Sequence, residues 1–148
     1  MTFKSEFATF VCEGDKITCE VDGFDCVAEL YRDDSGDAPD ELDDGFWPSL
    51  DPKSAGYIGA KSKRSLARHT AKAQAIMDAW ERDEWHYFGV VVVVYKSEVL
   101  LTSKYGNALW GIEVNYPGAD NSYLRRVANE LLGEALDEAR ATLAKLAA

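Results

Sequence analysis

Apolar and polar positions change period several times along the chain, and each change marks an element. From Trp85 the sequence runs Trp85-His86-Tyr87-Phe88-Gly89, then five consecutive valines, Val90 to Val94, then Tyr95. β-Branched side chains pack well on a pleated surface, so this run predicts a strand covered on both faces. Val99-Leu100-Leu101-Thr102 and Asn107 to Val114 predict two more strands, giving a three-stranded antiparallel unit over 85–116. Strict alternation in the last places Ala108, Trp110, Ile112 and Val114 on one face. Leu109, Gly111, Glu113 and Asn115 share the other, where Glu113 reads as a solvent-side residue flanked by core positions.

Upstream, residues 6–32 predict a three-stranded meander. Phe7 to Cys12 forms the first strand, and Lys16 to Asp22 then alternates with Ile17, Cys19 and Val21 on one side. Asp22-Gly23 is a favoured hairpin pair, after which Cys26, Ala28 and Leu30 continue the apolar face. The other face is wet and acidic, with Glu20, Asp22, Asp25 and Glu29.

Two stretches switch to helical spacing. Over 61–82, Ser62 or Ser65 is positioned to cap a helix, and Leu66, His69 or Thr70, Ala73, Ile76 or Met77, and Trp80 form its apolar face. Over 121–146, capped by Asp120, Asn121 or Ser122, the stripe is Leu124, Val127/Ala128, Leu131, Ala135, Ala139, Leu143 and Leu146. Residues 33–60 have the Gly, Pro, Ser and like-charge content of a loop. The pattern therefore predicts a single α+β domain over 1–148, with antiparallel sheet and two helices in the order βββ–α–βββ–α. Its second half has the element order of a double-stranded-RNA-binding domain. Its near-neutral charge does not supply the cations that such binding needs.

Composition narrows the class. The chain has 148 residues, 47% of them apolar, enough for a packed core without metal or disulfide. No apolar run approaches the roughly 20 residues of a membrane helix, and Met1 to Glu6 lacks a charged-then-apolar leader, so a cytoplasmic protein is expected. Cys12, Cys19 and Cys26 are odd in number and lack a Cys-x-x-Cys pair, which points to structural thiols.

Charge is unevenly distributed. The net charge is −10, yet residues 1–60 hold 15 of the 26 acids and only four of the 16 cations. Asp33, Asp34, Asp37, Asp40, Glu41, Asp43, Asp44 and Asp51 follow one another with no Lys or Arg between them. They do not fit the alternating acids, central Gly and terminal Glu of a calcium loop, so no metal is expected. Phe46 and Trp47 in this segment have two readings, as exposed anchors for a partner or as a tuck that holds the loop on the core. The one basic stretch, Lys61, Lys63, Arg64, Arg68 and Lys72, falls at the end of its helix where the dipole disfavours cations. The acidic segment just upstream is expected to compensate it; the alternative is a nucleic-acid-binding regulator using these five residues.

Catalytic signatures are missing. There is no phosphate-cradling Gly loop, nucleophile elbow or zinc motif. His69 and His86 have no nucleophile or acid at a diagnostic spacing, and Asp83-Glu84 beside His86 point different ways. A non-enzymatic protein without cofactor is expected.

Three segments carry a resemblance. Asp83 to Val94, Ala108-Leu109-Trp110-Gly111-Ile112-Glu113, and Tyr123 through Ala139 resemble a group of small proteins from phages, prophages and other bacterial mobile elements, over roughly residues 78–145. The resemblance implies a shared fold and setting, and with it a role like that of inhibitors of restriction or CRISPR systems in the host cell. Such an inhibitor acts as a nucleic-acid mimic on a basic defence protein, since acidic surfaces are steered into positive clefts. The partner-binding residues expected on that basis are Glu20, Asp22, Asp25, Glu29, Asp33, Asp34, Asp37, Asp40, Glu41, Asp43, Asp44, Phe46 and Trp47. Nucleic acid and membrane are not expected partners, while an uncapped strand edge leaves room for a second copy of the chain.

Overall fold

A computed structural model describes residues 2–42 and 45–147. The strands are β1 (Lys16–Val21), β2 (Phe24–Arg32), β3 (His86–Lys96), β4 (Val99–Leu100) and β5 (Ala108–Val114). The helices are α1 (Pro39–Leu42), α2 (Lys63–Glu81) and α3 (Tyr123–Ala147). All five strands form one antiparallel sheet, ordered β1-β2-β3 with β4 and β5 sharing the far edge of β3. The meander and the valine strand are joined directly, because Asp25 to Arg32 pairs with Phe88 to Tyr95. This is the α+β, antiparallel architecture that the pattern predicts.

One sheet face is dry. Ile17, Val21, Phe24, Cys26, Ala28, Leu30, Phe88, Val90, Val92 and Val94 pack against Leu124, Val127, Ala128, Leu132, Ala135, Leu136 and Ala139 of α3. Apolar area leaves water here, at about 25 cal/mol per Å². The α3 stripe follows its predicted course, except that Leu146 is exposed and Leu132 and Leu136 join it. Asp22 and Gly23 both adopt positive φ, 51° and 82°, as the two-residue hairpin requires. Ser62 caps α2, its hydroxyl accepting from the Ser65 amide at 3.3 Å.

Three expectations need correction. Phe7 to Cys12 is not a strand, because no neighbouring strand offers it a ladder; side-chain amides replace one. Asn115 Oδ1 accepts from the Val11 amide at 3.0 Å while its Nδ2 donates to the Val11 carbonyl at 2.9 Å. Asn121 Nδ2 donates to the Thr9 carbonyl, and Asn129 Oδ1 accepts from the Phe3 amide. Phe3 and Val11 are thereby buried.

The second correction is in β5. Phe88 pairs with Ile112 but Val90 with Leu109, so Gly89 alone faces Trp110 and Gly111. This is a β-bulge with Gly111 in the left-handed region at φ 73°; the extra residue turns over the 108–110 end of the strand and leaves Ile112 and Val114 on the core face as expected. Ala108 therefore shares the open face with Val91, and Trp110 lies over Gly89 rather than in the dry core. Third, the valine strand is covered by a helix on one face only. Val91 is still buried on the other, under side chains rather than an element, and Val93 is half-buried.

Candidate partner-binding face

The open face of the sheet carries the outward residues of three strands. Thr18 and Glu20 come from β1, Asp25, Val27, Glu29 and Tyr31 from β2, and Val91, Val93 and Tyr95 from β3. A groove of about 220 Å³ runs between Val27, Val91, Val93 and Leu100, with Lys16 and Lys104 at its rim.

At one end of this face lies an aromatic cluster. The Trp110 ring occupies the space a side chain at Gly89 would fill, since a Cβ there would stand 2.2 Å from it. Tyr31 packs 6.4 Å from Trp110 and 5.6 Å, edge-on, from Tyr105. Trp110 and Tyr105 stay 43% and 49% exposed, and Leu100 on the same face is exposed too. Rings held by each other yet open to water are the usual anchors of protein interfaces. Sequence reasoning passed over this cluster, placing Trp110 in the core. The signal was Gly89, a lone glycine inside a β-branched run, which marks a bulge or a close approach.

The predicted acidic residues separate into two groups. Several are engaged within the chain. Asp22 pairs with Arg140 at 3.1 Å and Glu29 with Lys16 at 3.5 Å. Asp33 Oδ2 accepts from the Gly111 amide at 3.0 Å, satisfying the backbone group the bulge frees. The Ser35 hydroxyl and amide on Asp33, with help from Gly111, hold its carboxyl below the ordinary range. Asp34 accepts from Arg32 Nε at 2.9 Å, and Arg32 likewise lowers its carboxyl.

Arg32 is the centre of a lock. Its Nη1 meets Asp83 at 2.8 Å and its Nη2 lies 3.3 Å from His86 Nδ1. A guanidinium only donates, so Nδ1 accepts and Nε2 carries the proton toward the Asp33 carbonyl at 3.0 Å and Asp34 at 2.9 Å. His86 also stacks on Trp80 at 4.5 Å. Both its nitrogens are engaged, which makes it a fastener between the acidic segment and β3. His69 Nδ1 likewise donates to the Ser65 carbonyl at 2.7 Å, within its own helix.

The second group has no ion pair or side-chain hydrogen bond among the described residues: Glu20, Asp25, Asp37, Asp40 and Glu41. Glu20 and Asp25 are direct cross-strand partners, two carboxylates on one face with no cation between them. Asp43 and Asp44 lie outside the described residues. Phe46 and Trp47 divide the two readings, for Phe46 is half-buried while Trp47 is 39% exposed.

The basic stretch also departs from expectation. Lys61, Lys63, Arg64, Arg68 and Lys72 are all exposed and, among the described residues, none meets a carboxylate within ion-pair distance. Of the upstream acids, Asp33 and Asp34 are turned instead toward Gly111 and Arg32.

The fold and this face define an α+β protein with one helix-backed sheet and one open, acidic and aromatic sheet surface. Comparison with family models, curated proteins and solved structures finds no match to the chain. No helix among the described residues is long and apolar enough to cross a membrane. No group of three His, Cys, Asp or Glu side chains among them is arranged to hold a metal ion.

Proposed function

We propose that the protein binds a basic partner across its open sheet face and inhibits it without catalysis. The partner class is a nucleic-acid-handling defence protein of a bacterial host cell, in keeping with the resemblance to phage and mobile-element proteins. The observation that carries the reading is the Glu20–Asp25 pair. Like charges directly opposite on a sheet cost roughly 0.2–1 kcal/mol, and among the described residues neither carboxylate has an ion-pair partner. A partner cation does offset it, and the acidic face speeds encounter with any positive cleft. Tyr105 and Trp110 supply the apolar anchor that charge alone lacks.

The test is capture from a bacterial lysate by the full chain and by Glu20→Gln/Asp25→Asn, at about 50 mM and about 500 mM salt. The expected outcome is a basic nucleic-acid-binding protein held by the wild type, released by salt and lost by the variant, whose activity on nucleic acid falls on addition of the chain. The variant should itself be more stable, by up to about 1 kcal/mol. Capture of the same proteins by both, or capture indifferent to salt, overturns the reading.

A second reading has one observation in its favour: Lys61 and the α2 residues Lys63, Arg64, Arg68 and Lys72 meet no carboxylate among the described residues. Arg64, Arg68 and Lys72 recur every fourth residue, about 6 Å apart along one helix face. A nucleic-acid-binding regulator would use them on phosphates, with a salt slope that falls by about one per cation removed. A gel shift at low salt separates the two readings.

A further inference from the structure

Beyond the open face, a cavity of about 590 Å³ lies between Leu42 and Phe46 on one side and the ends of β3 and β5 on the other. Trp85 and Tyr87 stand two residues apart and so point the same way, and Tyr87 is register-paired with Glu113. Asn115 turns the chain through the left-handed region at φ 60°, which brings the Tyr116 ring edge-on to Trp85 at 4.9 Å. Trp85 and Tyr87 meet edge-on at 5.5 Å. Among the described residues the lining therefore holds the Phe46, Tyr87 and Tyr116 rings, with the fully buried Trp85 behind them, and the Glu113 carboxylate.

Glu113 has no ion pair and no hydrogen bond among the described residues. Burial alone pushes its carboxyl above the ordinary value, and burial together with its charge pushes the Tyr87 and Tyr116 phenols up. Glu113 is still open to water, so its carboxylate stands at the cavity with no cation beside it among the described residues. The same surroundings suit one ligand chemistry. Ring faces attract a cation through their quadrupole, and a carboxylate adds a formal charge. A metal ion would need more oxygen donors than this one side chain. An anion finds no cation in the lining. A small ammonium ion, strongly hydrated, gains little from rings; alkyl groups on nitrogen remove that hydration and fill apolar space.

We propose that Phe46, Tyr87 and Tyr116, backed by the buried Trp85, form an aromatic cage, closed by Glu113, for an alkylated ammonium group. The volume falls in the usual range for small-ligand sites, roughly 300–1,000 Å³. The site lies apart from Glu20 and Asp25 and does not depend on the reading of the open face. Two sources carry this chemistry, a free quaternary amine and a methylated lysine side chain of another protein.

The experiment is calorimetric titration of the full chain with tetramethylammonium chloride and with a peptide containing trimethyllysine, against sodium chloride of equal ionic strength. A neutral tert-butyl alcohol serves as the isostere. Saturable binding of at least one ammonium probe is expected, with the isostere weaker by about tenfold or more. Glu113→Gln and Tyr116→Leu should each weaken binding by about tenfold, both variants being confirmed as folded by thermal melting. Tighter binding of the peptide assigns the site to a protein side chain, and equal or tighter binding of tetramethylammonium assigns it to a free amine. No saturable binding of either probe, equal binding of the isostere, or binding unchanged in both folded variants overturns the cage.

Discussion

At the scale of single residues, Asp33 shows how an acidic position is diverted from a surface role. Its carboxylate accepts from Ser35 and from the Gly111 amide, so ionised Asp33 caps the bulge that aims Trp110. Its folded value is depressed below the ordinary 3.8, so its contribution to stability is present above about pH 4 and lost as pH falls through the folded value. Wild type and Asp33→Asn compared by urea denaturation should differ near neutrality and converge in strong acid. A difference independent of pH would remove the charge from the account. Glu113 has the opposite sign. Its folded value is raised, so between the unfolded and folded values stability falls as pH rises, and ionised Glu113 is a standing cost above that window. Hydrogen bonds lower the one carboxyl and burial raises the other.

Elements depend on interactions that periodicity does not encode. The segment from Phe3 to Val11 has strand-like composition but is held by amides of Asn115, Asn121 and Asn129. An amide side chain offers one donor and one acceptor in the spacing of a backbone ladder, which is why Asn115 serves both groups of Val11. Asn115→Gly keeps the left-handed backbone at φ 60° without strain and removes only the amide. It should cost about 2–4 kcal/mol, the penalty of leaving two buried backbone groups unpaired. Hydrogen exchange at Val11 should rise with it; unchanged stability would mean the arm is held by Phe3 and Val11 packing alone.

The whole molecule is built in two unequal parts. α3 lies along β3 and β5 and buries its stripe in the main core, whereas α2 reaches the sheet through Trp80 against Trp85, His86 and Tyr87 and through the Trp85 indole donating to the Ile76 carbonyl. Residues 45–58 pack beneath α2 near His69 and Ile76. The Arg32–Asp34–Asp83–His86 lock fastens this smaller part. Local opening follows the poorer burial. Amides of α2 should exchange at lower protection than those of β3 and α3, and Arg32→Ala should widen the gap. Equal protection throughout would show one cooperative unit. The proposed cage lies at this seam, so an ammonium ligand should raise protection in both parts together.

The sequence by itself determined the elements that local period and turn chemistry control. The α+β class, the Asp22-Gly23 hairpin, the Ser62 cap, the buried stripe of α3 and the acidic outer face of β1 and β2 all follow from residues near one another in the chain. What the tertiary structure decided were matters of long-range satisfaction. Gly89 opposite Trp110 and Gly111 turned over the Ala108 to Trp110 end of β5 while Ile112 and Val114 kept the core face, because one extra residue in a ladder flips the faces on one side of it relative to the other. Asn115 and Asn121 took the place of a sixth strand, and Arg32, Arg140 and Lys16 consumed acids that composition offered to a partner. Glu20, Asp25 and Glu113 were left over. Which carboxylates remain free depends on which backbone amides and cations arrive from elsewhere in the chain, and that arrival is settled only when the sheet closes.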